Sequence, residues 1–118
     1  MPFANAPYSR AMFDDEWIFV SGTIGMDYDA HRLASTAAEQ TRLMVRNIEK
    51  YLATCGGGLK NIVNYTLIVS AHEHLGAVID TLAEVLPCKP TGTAMIAGIA
   101  IADAYVEMQV IARKSHIG

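Results

Sequence analysis

The sequence predicts an α+β fold, an antiparallel-rich mixed sheet carrying two helices on one face, in the order ββαβ then αββ. Three observations predict it. Two segments, Thr36 to Cys55 and Ser70 to Leu86, repeat apolar residues at helical intervals. Two others, Trp17 to Ser21 and Ile62 to Ser70, are short and rich in β-branched and aromatic residues. The last, Tyr105 to Arg113, alternates with the period of two that a strand requires. The chain's 118 residues suit one domain over residues 1–118.

Taken in order, the first ten residues are rich in Pro and Asn and are expected to form an arm. From Ala11 to Thr23, two short strands are joined by the acidic turn Asp14-Asp15-Glu16, with Gly22 and Gly25 at the far end. Asp27 to Ser35 reads as a polar loop. Thr36 and Glu39 have capping-box spacing, in which each side chain satisfies a free amide at a helix start. Ala38, Thr41, Val45, Ile48 and Leu52 then form an apolar stripe. Gly56-Gly57-Gly58 ends the helix, because glycine accepts the left-handed backbone of many helix termini.

Ile62 to Ser70 is a strand. Ser70 and Glu73 repeat the capping-box spacing ahead of a second helix, whose stripe is Leu75, Val78, Ile79, Leu82 and Leu86, stopped by Pro87. Gly92 to Ala102 is apolar on both faces; its glycines and short length favour a strand. In the final strand Val106, Met108, Val110 and Ala112 share one face, with Tyr105, Glu107, Gln109 and Ile111 on the other. Two helices cover only one face of such a sheet. The uncovered face would be an unusually large apolar patch for a monomer, so a homo-oligomer is expected.

Composition excludes several classes. The chain is 52% hydrophobic and 18% charged, with a mean hydropathy of +0.24, unlike a disordered chain. Its longest apolar stretch, Thr93 to Ala102, is about half the ~20 residues of a membrane helix. No basic segment leads into an apolar one at the start, so no signal peptide and no membrane partner are expected. Net charge is −3, and the basic residues are scattered. Only Arg42, Arg46 and Lys50 align, as one solvated helix face beside Glu39 and Glu49, so no nucleic acid partner is expected. Cys55 and Cys88 read as reduced thiols, which makes the cytoplasm the expected location.

Glu107 is the leading chemical candidate. It sits mid-strand on the face away from the helices. Burial there in an oligomer would raise its pKa towards that of a proton carrier working near neutral pH. An interface glutamate paired with a cation is the other reading. Tyr8 and Arg10 share one side of an extended arm and could grip a carboxylate, or could simply pin the arm. Ser21 and Thr23 offer hydroxyls at a strand end. His72 and His74 do not share a helix face, and His31 and His116 stand alone, so no metal is expected. Gly56-Gly57-Gly58 lacks the continuation of a phosphate loop, and no nucleotide cofactor is expected.

These pieces, in this order, resemble the Rid/YjgF family of reactive-intermediate deaminases. The matching text is Ala6-Pro7-Tyr8-Ser9-Arg10-Ala11, then Ile18 to Thr23, and Glu39-Gln40-Thr41-Arg42 leading to Asn47-Ile48. It continues through Leu59 to Val63 and closes with Val106 to Ala112. The resemblance implies a chorismate-mutase-like fold, with a homotrimer whose sheets form a central barrel and ligand clefts between subunits. It implies Glu107 as the group that positions the attacking water, with Tyr8 and Ser21 lining the cleft. The family's carboxylate-binding arginine would fall at Gly92, which leaves three expectations: Arg10 replaces it, Gly92 makes room for a bulkier substrate, or only binding remains. Gly92 and Ala94 would shape the pocket. The expected activity is hydrolytic deamination of a small enamine or imine, for instance an amino-muconate-like catabolic product. The alternative is a non-catalytic trimer that binds small molecules. Ribonuclease activity, ascribed to some relatives, fits the acidic balance least.

Overall fold

Asp14 closes the first hairpin. Its carboxylate accepts the amides of Glu16 and Trp17, both at 2.8 Å, which is why an acidic triplet can reverse the chain there. The computed structural model describes residues 7–115; residues 1–6 of the expected arm, and His116 at the other end, lie outside them. The hairpin strands are β1 (Ala11–Phe13) and β2 (Trp17–Ile24). They are followed by a small ladder, β3 (Met26–Asp27) with β4 (Arg32–Leu33), in the segment expected to be only a loop. Two-residue strands are too short to show a period. Their turn is held by Asp27 accepting the amides of Asp29 and Ala30, which composition does not reveal.

Helix α1 (Ala37–Thr54) starts at Thr36, whose hydroxyl accepts the Glu39 amide at 3.1 Å. It ends in a Schellman pair, with the Gly57 amide donating to the Leu52 carbonyl at 2.9 Å and Gly56 at φ +89°. Strand β5 (Ile62–Val69), helix α2 (His72–Val85) and strand β6 (Thr91–Ile96) form a crossover between parallel strands, and β7 (Val106–Arg113) inserts beside β5. The sheet order is β1-β2-β7-β5-β6, antiparallel except at β5–β6, a mixed sheet as expected.

Two expectations are corrected here. The α2 N-cap is Ala71, with no side-chain cap. Ser70 lies before it, and its amide is spent on the Tyr105 carbonyl at 3.0 Å. Strand β6 stops at Ile96 rather than Ala102. The Ala97 amide still bonds Val69, but the chain then turns back through Asp103, at φ +67°, to enter β7.

The core lies between the helices and one sheet face. Ile18, Val20, Leu67, Val69, Val106, Met108, Val110 and Ala112 are buried there against Met44, Val45, Ile48 and Leu52 of α1. Each large apolar side chain buried this way contributes roughly 1.5–3 kcal/mol, more than the ~1 kcal/mol span of strand propensity. Three polar residues of α1 are buried among them. The Asn47 amide donates to the Ile24 and Met26 carbonyls, and Gln40 bridges to residues 34, 103 and 105. Thr41 donates to Ala37 within its own helix. Of the three aligned basic residues, Arg46 and Lys50 are exposed while Arg42 pairs with Glu84 of α2. Both cysteines are free thiols.

The opposite face is open. Met12 is 65% exposed and Phe19 48%, and every residue of β6 is exposed, on both of its sides.

Candidate functional site

The open face is organised in rows by strand register. Glu107 of β7 stands between Ile24 of β2 and Ile68 of β5, with Met95 of β6 beyond. The next row holds Gln109, Thr66 and Thr93, and on the β2 side the ladder is broken. Val20 faces Val110 but Thr23 faces Met108, so Ser21 and Gly22 together oppose one residue, a β-bulge. Bulges bend a strand and re-aim its side chains, and here the bulge makes room for the carboxyl. A Cβ at Gly22 would lie 2.9 Å from both Cδ and Oε2 of Glu107, so the carboxyl rests directly over that glycine. Burial pushes the Glu107 carboxyl above its ordinary range. It has no hydrogen bond or ion pair among the described residues. The arginine on this face, Arg113, is stacked on Trp17 at the other end of β7, about 20 Å along the strand.

Ser21 lies at this bulge. Its hydroxyl donates to the Ser9 carbonyl and its amide to the Arg10 carbonyl at 2.9 Å, which straps the N-terminal segment onto β2. Thr23 is not brought to the open face. The extra bulge residue reverses its side, and it is buried towards the helices with its hydroxyl on the Ser21 carbonyl at 2.8 Å.

Arg10 is not brought to Glu107 either. Its guanidinium stands 4.6 Å from the Tyr28 ring centre and 5.8 Å from that of Tyr51. Burial pushes the Tyr51 hydroxyl up, with the hydrogen-bonded Tyr28 phenol adding to the shift. Tyr8 is 47% exposed. Arg10 packs against two tyrosines, where the arm's period suggests a grip on a carboxylate.

Gly92 and Ala94 lie on the other side of the sheet. They register with Tyr65 and Leu67, which face the helices, and Tyr65 in turn lines a groove with residues of α2 and Pro90. Gly92 does not leave free room. A Cβ there would meet the Tyr65 ring at 2.5 Å, so the chain's own phenol fills the space.

Four of the predicted residues thus form two separate sets in one chain: Glu107 with Ser21 on one face, Gly92 with Ala94 on the other. Arg10 stands with Tyr28 and Tyr51, and Thr23 is buried towards the helices. Gly22 and Tyr65 were missed. Both act through long-range packing, and only the small residue in Ser21-Gly22-Thr23 hinted at the first. His74 stacks on Tyr105 at 4.2 Å. Among the described residues no group of three or more His, Cys, Asp or Glu could hold a metal ion, and no helix is long and apolar enough to cross a membrane.

A family model described as endoribonuclease L-PSP matches residues 1–114. Solved structures share the fold. A member of the YjgF protein family from Neisseria meningitidis superposes with a TM-score of 0.85 at 23% identity, covering 95% of this chain and 92% of that one. RidA from an Antarctic Psychrobacter gives 0.84 at 20% identity, covering 93% and 90%. Escherichia coli TdcF with bound serine gives 0.85 at 18% identity, again covering 93% and 90%.

Proposed function

The chain belongs to the endoribonuclease L-PSP family, the YjgF/Rid proteins, and from that premise we propose that it is a hydrolytic deaminase of small imines and their enamine tautomers. The observation that carries this reading is the Glu107 carboxyl, half-buried over Gly22 with its affinity for a proton raised. Water adds to the carbon of the C=N bond and gives a proton to the carboxylate, which passes it to nitrogen to form a carbinolamine. Glu107 then takes the hydroxyl proton and delivers it to nitrogen as the C–N bond breaks, so ammonia leaves with a carbonyl product. The carboxylate is regenerated, and no other reactant is consumed.

Two features support a site shared between copies of the chain, in a homotrimer as the resemblance implies. The two sets of predicted residues lie on opposite faces, so one chain cannot bring them together. The open face and both sides of β6 are uncovered. Ser21 lines the cleft on the Glu107 side. A relative of this fold that holds serine is in keeping with a small-metabolite site. A ribonuclease reading is less favoured, because the face around Glu107 is apolar and neutral-polar rather than basic.

The test is an imine-trapping assay. Amino-acid and amine oxidases generate imines in the presence of semicarbazide, and a hydrolase suppresses the trapped product. Suppression by the wild type is expected; its absence across the panel would leave the small-molecule-binding trimer. Gly22→Ala should fold but lose at least about tenfold in rate, because the new methyl pushes the carboxyl off its position. Unchanged turnover in that variant would remove Glu107 from the position assigned to it.

A further inference from the structure

The Tyr65 ring occupies the space where a side chain at 92 would begin. Its Cε1, Cζ and Cδ1 atoms lie 2.5, 2.6 and 2.8 Å from an ideal Cβ on Gly92, distances that no real Cβ tolerates. The two residues are register partners across the parallel β5–β6 pair. The same ring lines a groove of about 280 Å³ with Ile79, Leu82, Leu86, Cys88 and Lys89.

The walls of this groove are mostly apolar, with Lys89 as their charged residue. Ile79 is 41% exposed above it. The Cys88 thiol is turned to the Leu59 carbonyl at 3.3 Å, and burial keeps it protonated. The Tyr65 hydroxyl makes no hydrogen bond among the described residues, which leaves it available as a donor. Lys89 is the cation of the groove, and it is exposed at the rim, where a carboxylate gains little over its own hydration. Arg10 is engaged by Tyr28 and Tyr51.

We propose that Tyr65 is the specificity-determining residue of this groove, selecting substrates whose reacting carbon carries a flat apolar group and no carboxylate. The ring offers the stacking face and the phenol one hydrogen bond to a neutral acceptor. This deepens the deaminase reading, which supplies the reacting carbon. It also sets the amino-muconate-like class, with its carboxylates, below uncharged imines.

The test reads binding rather than turnover, so that the two readings can fail separately. Acetophenone and phenylglyoxylate are titrated into the full-length protein by ligand-observed NMR; they differ only in a methyl or a carboxylate on the same aryl ketone. Acetophenone should bind about tenfold tighter. Tyr65→Leu should erase that preference, and Gly92→Ala should erase it too, because its methyl drives the ring out of place. Lys89→Met should leave it within about twofold. Melting temperatures separate the packing from the recognition: Gly92→Ala should destabilise the wild type but not the Tyr65→Leu background.

Tighter binding of phenylglyoxylate, its loss in Lys89→Met, or no binding of either ketone overturns the proposal. So does an unchanged preference in Tyr65→Leu. Acetophenone binding as stated without suppression of imine trapping overturns the deaminase reading and leaves the recognition standing; suppression with a preference for phenylglyoxylate does the reverse.

Discussion

Gln40→Leu is expected to lower stability by about 2–4 kcal/mol, a fall of roughly 6–15 °C in melting temperature. The side chain is 1% exposed in the helix–sheet core. Its amide donates to the carbonyls of Ala34 at 3.0 Å and Asp103 at 3.2 Å, and its oxygen accepts the Tyr105 amide at 2.8 Å. Leucine matches the bulk but leaves those groups unpaired, and the desolvated Tyr105 amide bears most of the cost. The damage also reaches the site, because residues 103–105 lead directly into the strand that carries Glu107. Thermal unfolding followed by circular dichroism checks this. A loss below about 1 kcal/mol would mean that water replaces all three bonds.

Glu107→Gln should reduce turnover by roughly 10²–10⁴ without destabilising the protein at neutral pH. The sign of the stability effect follows from the raised carboxyl pKa. The folded chain holds this proton more tightly than the unfolded chain does. Stability from this group is therefore complete below the ordinary carboxyl range, near 4.5, and is lost as pH rises through the higher folded-state value. Glutamine carries no charge and escapes that loss. The variant's melting temperature should gain on wild type across that window and hold its gain at higher pH. A variant that loses ground to wild type as pH rises would mean that the carboxylate is paired in solution.

The elements legible in the sequence were those whose signal is local. β7 shows a clean period of two because one of its faces is wholly buried and the other is not. α1 announces itself through Thr36, its apolar spacing and the terminal glycines. The strand limit at Ile96 was hidden because the run to Ala102 is uniformly apolar, so no change of composition marks the turn. At the site, Glu107 was legible as a carboxylate stranded in an alternating strand. Thr23 was misplaced because a one-residue bulge between Val20 and Thr23 reverses its side, and an inserted residue leaves no periodic trace. Arg10 was read from the arm alone, whereas its partners are Tyr28 and Tyr51, far along the chain. Gln40 and Asn47, polar residues on a helix, gave no sign that they would be buried. The Tyr65–Gly92 contact depends on a parallel pairing across a whole helix, which no local pattern encodes.

The central claim is that Glu107 of one copy works beside Gly92 and Tyr65 of another. Subunit complementation tests it most directly. Glu107→Gln loses the proton carrier, and Gly92→Leu, whose side chain collides with Tyr65, blocks the groove; each alone should be inactive in the trapping assay. Co-expressed in equal amounts, the two chains should regain about a quarter of wild-type activity, because random mixing gives one cleft in four both intact halves. No recovery in an assembly shown to contain both chains would contradict the claim and remove Gly92 and Tyr65 from the site of Glu107.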